Sequence, residues 1–245
     1  MQNRACRLWL PLAAASPWLT PAASAVTIDW VTLGDPGNAC DTQTQGCFGA
    51  VIYTYRIAKQ EVTNAQYAEF LNAKAASDPL GLYNTEMGST GFGGISRNGG
   101  SGSYTYSVIA GREDKPVNYV SYFDALRFAN WLNNGQGGGD PETGAYTLLG
   151  GAPTPSNELV ARNVWAAVFL TSENEWYTAA CYDAGSAGYF DSPAGTDAQI
   201  VCSAPRATAN TANCDAVVGN LTGVGSYTGS AGPNGTFDQG GNAWE

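Results

Sequence analysis

The sequence contains no histidine, and this absence removes several classes of active site at once. Without imidazole there is no Ser-His-Asp or Cys-His catalytic group, and no zinc or non-haem iron site that uses histidine ligands. Basic residues are also scarce, because 11 lysines and arginines face 21 acidic residues and the formal net charge is −10. Such a chain repels phosphate, so we expect no nucleic-acid partner and regard divalent cations as suitable ligands. Chemistry must come from cysteine, carboxylate, tyrosine or a cofactor.

Long hydrophobic runs are missing except at the N-terminus. Residues 1–25 begin with basic side chains, continue with an apolar stretch from Leu8 to Leu19, and end with the small residues Ala23-Ser24-Ala25. This order is typical of a secretory signal peptide. Prolines within the apolar stretch, and its short length, disfavour the alternative of a membrane anchor. We therefore expect residues 26–245 to be exported as one domain without a membrane span, to the periplasm, the cell surface or the medium.

Export permits disulfide bonds, and residues 26–245 contain five cysteines. Local pairing is the simplest arrangement, with Cys40 joined to Cys47 and Cys202 joined to Cys214 across short polar loops. Cys181 is then left over. It is a reactive thiol, a cysteine whose partner lies outside this sequence, or a buried inert thiol, and the sequence leaves all three open.

Glycine and aromatic residues are plentiful by contrast. The sequence has 31 glycines, 13 tyrosines and 7 tryptophans, while only 13% of its residues are charged. Aromatic side chains supply a core, and glycines with polar residues suit long irregular connections. This composition predicts little regular secondary structure.

Three segments nevertheless carry signals for the start of a helix. Thr63 and Ser172 each begin a capping box with Gln or Glu three residues later, and Ser121 is a favourable N-cap residue. In the third helix we expect Trp176 to lead the buried face. The predicted helices span residues 63–75, 121–133 and 172–180.

Strand signals are short and come mainly from β-branched residues. Residues 26–33 and 51–57 are predicted to form two strands that pair across the Cys40–Cys47 loop. A third short strand is predicted at residues 104–109, inside an otherwise loop-like region from Ser77 to Gly111. No helix is predicted after Cys181.

The segment from Pro233 to Glu245 combines glycines, two carboxylates and two aromatic rings. Glycines let backbone carbonyls turn towards a common point, and Asp238 and Glu245 carry hard oxygen atoms, which suits a calcium-type site. The alternative interpretation is an ordinary glycine-rich turn held by its aromatic rings.

Four sequence blocks resemble motifs of the formylglycine-generating enzyme family, also called the sulfatase-modifying factor family. They occur in the family's order, and the glycine- and tyrosine-rich style resembles its exported bacterial subgroup. The family motif continues one residue past the last block, so we expect this sequence to be either a truncated product or a fragment of a longer reading frame. The blocks are Val62-Thr-Asn-Ala-Gln-Tyr-Ala-Glu-Phe, Lys115-Pro-Val-Asn-Tyr-Val-Ser-Tyr-Phe-Asp-Ala, Leu170-Thr-Ser-Glu-Asn-Glu-Trp and Gly241-Asn-Ala-Trp-Glu.

The resemblance implies an irregular α+β fold related to C-type lectins, with short strands, two or three helices and long loops. It also implies a reaction in which two cysteines bind copper(I) and molecular oxygen oxidises a sulfatase cysteine to formylglycine. That cysteine pair follows the Gly241-Asn-Ala-Trp-Glu block in the family, and no cysteine of this sequence matches it, so we assign no catalytic residue. Two functions stay open. One is an oxidase that acts on a protein or peptide, and the other is a non-catalytic lectin-like module that binds a glycan or surface ligand.

Structural calcium is the cofactor that the resemblance places on this sequence. One ion is expected on the side chains of Asp238 and Glu245 and the backbone carbonyls of Gly241 and Ala243. A second ion is expected around Asn213, with the carbonyl of Cys214 as a further ligand. Calcium takes ~6–8 oxygen ligands, so water and neighbouring loops must supply the rest.

Overall fold

The structure, a computed structural model, describes residues 25–157 and 159–243, so the predicted signal peptide lies outside the described residues except for Ala25. The helices are α1 (Asn64–Lys74), α2 (Glu86–Ser89), α3 (Tyr122–Asn133) and α4 (Glu173–Cys181). The strands are β1 (Trp30–Leu33), β2 (Asp41–Gln43), β3 (Gly46–Phe48), β4 (Tyr55–Ala58), β5 (Ile95–Asn98), β6 (Thr105–Val108), β7 (Tyr182–Asp183), β8 (Gly188–Tyr189), β9 (Val201–Cys202) and β10 (Thr211–Ala212). None of the described helices has the length and apolarity needed to cross a membrane.

Helices α1, α3 and α4 confirm the three helices predicted from capping signals. The Thr63 hydroxyl accepts a hydrogen bond from the Gln66 amide at 3.2 Å, and the Gln66 side chain accepts one from the Thr63 amide at 2.9 Å. Ser172 and Glu175 repeat this reciprocal arrangement at the start of α4. Ser121 caps α3. Each cap satisfies amide donors that the first helical turn leaves without partners.

The main core lies between α1 and α3 and is aromatic. Tyr67 and Phe70 of α1 face Phe128 and Trp131 of α3, with ring centroids 5.4–5.8 Å apart. Phe70 is completely buried. Ring pairs at these separations contribute about 0.5–1.5 kcal/mol each beyond the burial of their area. The two helices therefore form the centre around which short strands and loops pack.

Strands β1 and β4 confirm the predicted pairing of the first two strand segments. They run antiparallel, and Thr32 lies opposite Arg56. Because side chains alternate between the two faces of a strand, Leu33, Tyr55 and Ile57 point into a second core. Thr32 and Arg56 point to the opposite, exposed face. This two-stranded sheet thus has one buried face and one open face.

Helix α4 differs from the prediction in which residue it buries most. Trp176 was expected to lead the buried face, but it is only partly buried, whereas Glu175 is completely buried. The Glu175 carboxylate accepts hydrogen bonds from the Ser172 amide, the Tyr53 hydroxyl and the Arg162 guanidinium. A buried carboxylate is tolerated when hydrogen bonds and an opposite charge compensate for lost hydration. These partners explain the difference.

Several short elements were missed by the sequence analysis. Strand β6 confirms the strand predicted at residues 104–109, but its partner β5 and the one-turn helix α2 lie in what was expected to be loop. The β2–β3 hairpin spans the Cys40–Cys47 loop and ends one residue beyond it, at Phe48. Elements of two to four residues are too short to show a periodic pattern, and pairing with a neighbour defines them.

A buried arginine anchors the long connection between α3 and α4. Arg127 is fully buried and forms ion pairs with Asp124 at 3.0 Å and Glu142 at 2.5 Å. Its remaining donors reach the carbonyls of Ala152 and Pro153. One α3 side chain therefore fixes two separate points of this irregular connection.

Candidate functional site

Two backbone hydrogen bonds join the C-terminal loop to distant segments of the chain. The Phe237 amide donates to the Lys59 carbonyl at 2.9 Å, and the Asn242 amide donates to the Asn213 carbonyl at 2.9 Å. These bonds join the loop to the segment after β4 and to the segment after β10. Residues predicted from two separate parts of the sequence as calcium ligands are thereby brought together.

Asn242 is the main polar link within this cluster. Its side-chain oxygen accepts hydrogen bonds from the Asn213 side chain at 3.1 Å and from the Thr222 amide at 2.8 Å. Its side-chain nitrogen donates to the Glu61 carboxylate at 3.0 Å. The backbone of Asn242 has a φ of 65°, a left-handed conformation in which Asn is among the more tolerated residues. One residue thus joins three loops.

Four of the predicted ligand residues surround one space. Asn213, Cys214, Gly241 and Ala243 line a single open pocket of about 450 Å³, and they come from the two ligand groups expected for two ions. Asp215 and Asn220 contribute to the same wall, and Asp215 is the one acidic residue among the described residues of that lining. Glu245 lies outside the described residues.

Asp238 lies apart from this pocket, beside a small cavity near Tyr227 and Ser230. One of its carboxylate oxygens accepts a hydrogen bond from the Gly225 amide at 2.5 Å. Burial raises the pKa of Asp238, and the bond from Gly225 offsets only part of that effect. Because burial removes hydration from this carboxylate, a proton or a bound cation would stabilise it.

The metal-binding potential of this end of the molecule rests on oxygen atoms from amides, carbonyls and isolated carboxylates. Across residues 25–157 and 159–243, no group of three or more cysteine or acidic side chains is positioned to hold a metal ion. Hard oxygen ligands suit calcium, which accepts carbonyl and amide oxygens alongside carboxylates. The donor chemistry therefore fits calcium better than a thiophilic metal.

The described cysteines are two disulfides and one buried thiol. Cys40 is bonded to Cys47, and Cys202 is bonded to Cys214, which confirms both predicted pairs. Cys181 is free and buried at the end of α4. Burial, with a further contribution from the nearby carboxylates, raises the pKa of the Cys181 thiol to about 11. It is therefore almost entirely protonated at neutral pH and is a poor nucleophile or metal ligand.

A second concave feature lies over the open face of the β1–β4 sheet. We call it the Arg56 groove. Its volume is about 850 Å³, and the segment from Arg162 to Phe169 forms the opposite wall. That segment is held by the Asn163 amide, which donates to the Ala145 carbonyl at 2.8 Å, and by a bridge between Arg162 and Tyr146. The groove is lined by Trp30, Thr32, Tyr53, Thr54, Tyr55, Arg56, Arg162, Asn163, Val164, Ala166, Ala167, Val168 and Phe169.

At one end of the groove, Arg162 is rigidly placed. Its guanidinium donates to both carboxylate oxygens of Glu175, at 2.8 and 3.0 Å, and to the Tyr53 hydroxyl at 3.0 Å. The guanidinium carbon also lies 4.0 Å from the centre of the Phe169 ring. Burial raises the pKa of Glu175, but the hydrogen bonds from Ser172, Tyr53 and Arg162 outweigh it and bring the pKa below its ordinary value. Glu175 is therefore ionised at neutral pH and neutralises Arg162.

A smaller apolar cavity of about 380 Å³ shares part of its lining with the groove. Trp30, Arg56 and Phe169 border both spaces, while Tyr67 and Phe128 from the main core border only the smaller one. The groove therefore adjoins the main core.

Comparison with known families decides the identity of the scaffold. Residues 41–245 match the family described as the sulfatase-modifying factor enzyme 1-like domain. The chain belongs to that family. No curated protein and no solved structure matched the chain. Family membership and the observed mixture of short strands and helices confirm the expected α+β, C-type-lectin-like fold.

The Arg56 groove was missed by the sequence analysis. A signal was present, because Trp30 and Thr32 occupy alternate positions of a strand whose other positions are apolar. No sequence signal indicates that the segment from Arg162 to Phe169 covers that face. Only the tertiary structure brings the two walls together.

Proposed function

We propose that this chain is an exported member of the sulfatase-modifying factor family that uses the family scaffold to bind a ligand, without cysteine oxidation by its described residues. The observation that supports this most strongly is the state of the cysteines. Four are consumed in disulfides, and the fifth, Cys181, is buried with a raised pKa. The described residues therefore offer no pair of free thiols, and they do not fit a copper(I) site of the family type.

An activity assay tests this proposal directly. The purified protein is incubated with copper, reductant and oxygen together with a peptide that carries the sulfatase cysteine motif, and aldehyde is measured by mass spectrometry. We expect no aldehyde. Aldehyde formed by the wild-type protein and lost in Cys181→Ser would overturn the proposal, because it would identify Cys181 as a reacting thiol.

Export is part of the same proposal. Two disulfides support an oxidising compartment, because such bonds persist mainly in exported proteins. The signal-like residues 1–25 give the route. Mass spectrometry of protein secreted by a host cell should find a chain that starts at Val26, and an intact N-terminus on the exported protein would contradict this.

Calcium binding also stays a proposal, with two candidate positions. The oxygen-lined pocket at Asn213 and Gly241 is supported by its donor chemistry, and Asp238 by its buried carboxylate. Because a ligand that binds only the folded state stabilises it, calcium should raise the Tm and a chelator should lower it. Asp215→Asn and Asp238→Asn distinguish the two positions, since the variant that removes a ligand should lose the calcium-dependent rise in Tm. The site is refuted if calcium leaves the Tm of the wild-type protein unchanged.

The second candidate is the family reaction itself, and family membership favours it. In that case the catalytic cysteines come from outside residues 26–245, and the described residues supply only the scaffold. Extending the reading frame tests this candidate, because it requires two closely spaced cysteines after Glu245.

A further inference from the structure

The Arg56 groove has the composition of a binding site and lies outside both candidate calcium positions. The groove shares no lining residue with the pocket around Asn213 and Gly241, and Cys181 does not line it. Its volume of about 850 Å³ falls within the ~300–1,000 Å³ that is usual for ligand sites. Its occupant can be inferred from the charge, the aromatic rings and the aliphatic side chains that line it.

Charge is the first indication. Arg56 and Arg162 line the groove, and no aspartate or glutamate occurs among its described lining residues. Arg162 is already neutralised by Glu175, but Arg56 is exposed and forms no ion pair within residues 25–157 and 159–243. Its guanidinium lies 5.8 Å from the centre of the Trp30 ring. In a chain of net charge −10, one uncompensated cation in a groove marks a place for an anionic ligand.

Aromatic and aliphatic side chains are the second indication. Trp30 and Tyr53 are 39% and 41% exposed, and Val164 on the opposite wall is more exposed still. Tryptophan, tyrosine and arginine are the residue types that dominate binding energy at protein interfaces. Exposed aliphatic groups such as Val164 gain most from apolar side chains of a partner. A sugar, which presents few aliphatic groups, would leave them uncovered.

We propose that the Arg56 groove binds an acidic polypeptide segment of a partner protein, with a partner carboxylate on Arg56 and apolar side chains against Trp30 and Val164. This assignment rests on the proposed ligand-binding function and specifies its partner. The contact is made face-on to the β1–β4 sheet, through side chains, and so differs from addition of a strand to a sheet edge. An unfolded or extended segment that carries both carboxylates and apolar side chains can contact both walls of the groove at once.

A direct binding measurement tests this assignment. The probe is a fluorescently labelled peptide that repeats Ser-Glu-Leu-Glu, and its matched controls repeat Ser-Gln-Leu-Gln, which lacks charge, and Ser-Glu-Ser-Glu, which lacks apolar side chains. We expect the first peptide to bind at least tenfold more tightly than either control, and its binding to weaken as salt is added. Equal binding of the charged and uncharged leucine peptides overturns the assignment.

Variants locate the binding in the groove. Arg56→Gln should weaken binding about tenfold, whereas Arg206→Gln, at an exposed arginine outside the groove, should leave it unchanged. Thr54→Asp introduces a carboxylate into the groove and should abolish binding, while Thr54→Asn should not. Unchanged Tm values verify that each variant is folded. Wild-type affinity in both Arg56→Gln and Thr54→Asp overturns the assignment.

A binding test with an acidic sugar distinguishes failure of this inference from failure of the proposed function. If an oligogalacturonate binds in the groove and the acidic peptide does not, the peptide assignment is wrong while the binding function stands. If neither binds, the inference fails for both ligand classes. The aldehyde assay is independent of both results, so failure of the proposed function is recognised separately.

Discussion

The region from α1 to α3 and the region after α4 are stabilised by different kinds of contact. The first region buries aromatic rings against each other, as Tyr67, Phe70, Phe128 and Trp131 do. The second region has only two-residue strands, and it is held by side-chain hydrogen bonds to backbone, by the Cys202–Cys214 disulfide and by left-handed turns.

This difference indicates how each region responds to its surroundings. Apolar burial is non-directional and needs no partner outside the protein. Polar contacts such as those of Asn242 and Asp238 depend on geometry and on charge, so ions, pH and redox state should act more strongly on the region after α4 than on the region from α1 to α3. Regions with few buried apolar contacts also open most readily.

The largest expected effect is in the aromatic core. Phe70→Ala removes a completely buried ring, and we expect it to lower the free energy of unfolding by about 3–5 kcal/mol. Phe92→Ala is the matched control, because Phe92 is 46% exposed and its loss should change stability by about 0.5 kcal/mol or less. Urea denaturation measures both. Equal effects would show that the main core is not where stability is concentrated.

The next effect concerns the buried carboxylate of α4. Glu175→Gln removes the charge that compensates Arg162, and we expect a loss of about 2–3 kcal/mol at neutral pH. Because the folded pKa of Glu175 is below its unfolded value, its contribution is present at neutral pH and is lost as pH falls through the folded pKa. The difference between variant and wild type should therefore shrink in acid.

Glu173→Gln is the control for this prediction. Glu173 begins the same helix but is exposed. Its substitution should change stability by about 0.3–1 kcal/mol, through loss of an acidic group near the helix N-terminus. A Glu175→Gln effect that stays constant down to acidic pH would contradict the assigned charge.

An effect of similar size but more local extent is expected at the second disulfide. Replacing Cys202 and Cys214 by serine opens a loop with a sequence separation of 12 residues, which should cost about 2–3 kcal/mol. Hydrogen exchange should increase around β9 and β10 while α1 and α3 stay protected. The matched variant replaces Cys40 and Cys47, whose separation of 7 predicts a smaller cost. If hydrogen exchange increased equally in α1 and α3, the two regions would not differ in stability as proposed.

The smallest effect is at Asp238, where the sign matters more than the size. Its pKa is raised in the folded state, so the folded protein prefers the protonated form and loses stability as pH rises from the unfolded to the folded pKa. In chelator at neutral pH, Asp238→Asn should therefore be slightly more stable than wild type, and this gain should vanish in acid. In calcium the order should reverse if Asp238 is a ligand. Thermal denaturation under the two conditions measures both signs.

The local sequence determined the elements whose interacting residues are only a few positions apart. Thr63, Ser121 and Ser172 set the helix starts because a side-chain cap acts on amides two or three positions away. The disulfides at Cys40–Cys47 and Cys202–Cys214 were also predictable, because close spacing limits the choice of partner. The family followed from four such local blocks.

The tertiary structure alone decided the features that need distant residues to meet. Arg162 comes from a loop without periodic signal, and its position depends on Glu175 and on the connection that Arg127 anchors. The burial of Glu175 in place of Trp176 also depends on a distant residue. Arg162, which neutralises the Glu175 carboxylate, lies outside α4 and so is not part of that helix's sequence pattern. Asn213 and Gly241 likewise share one pocket only because Asn242 bonds across the two loops. Local capping and patterning act over one or two helical turns, whereas ion pairs and grooves depend on long-range packing.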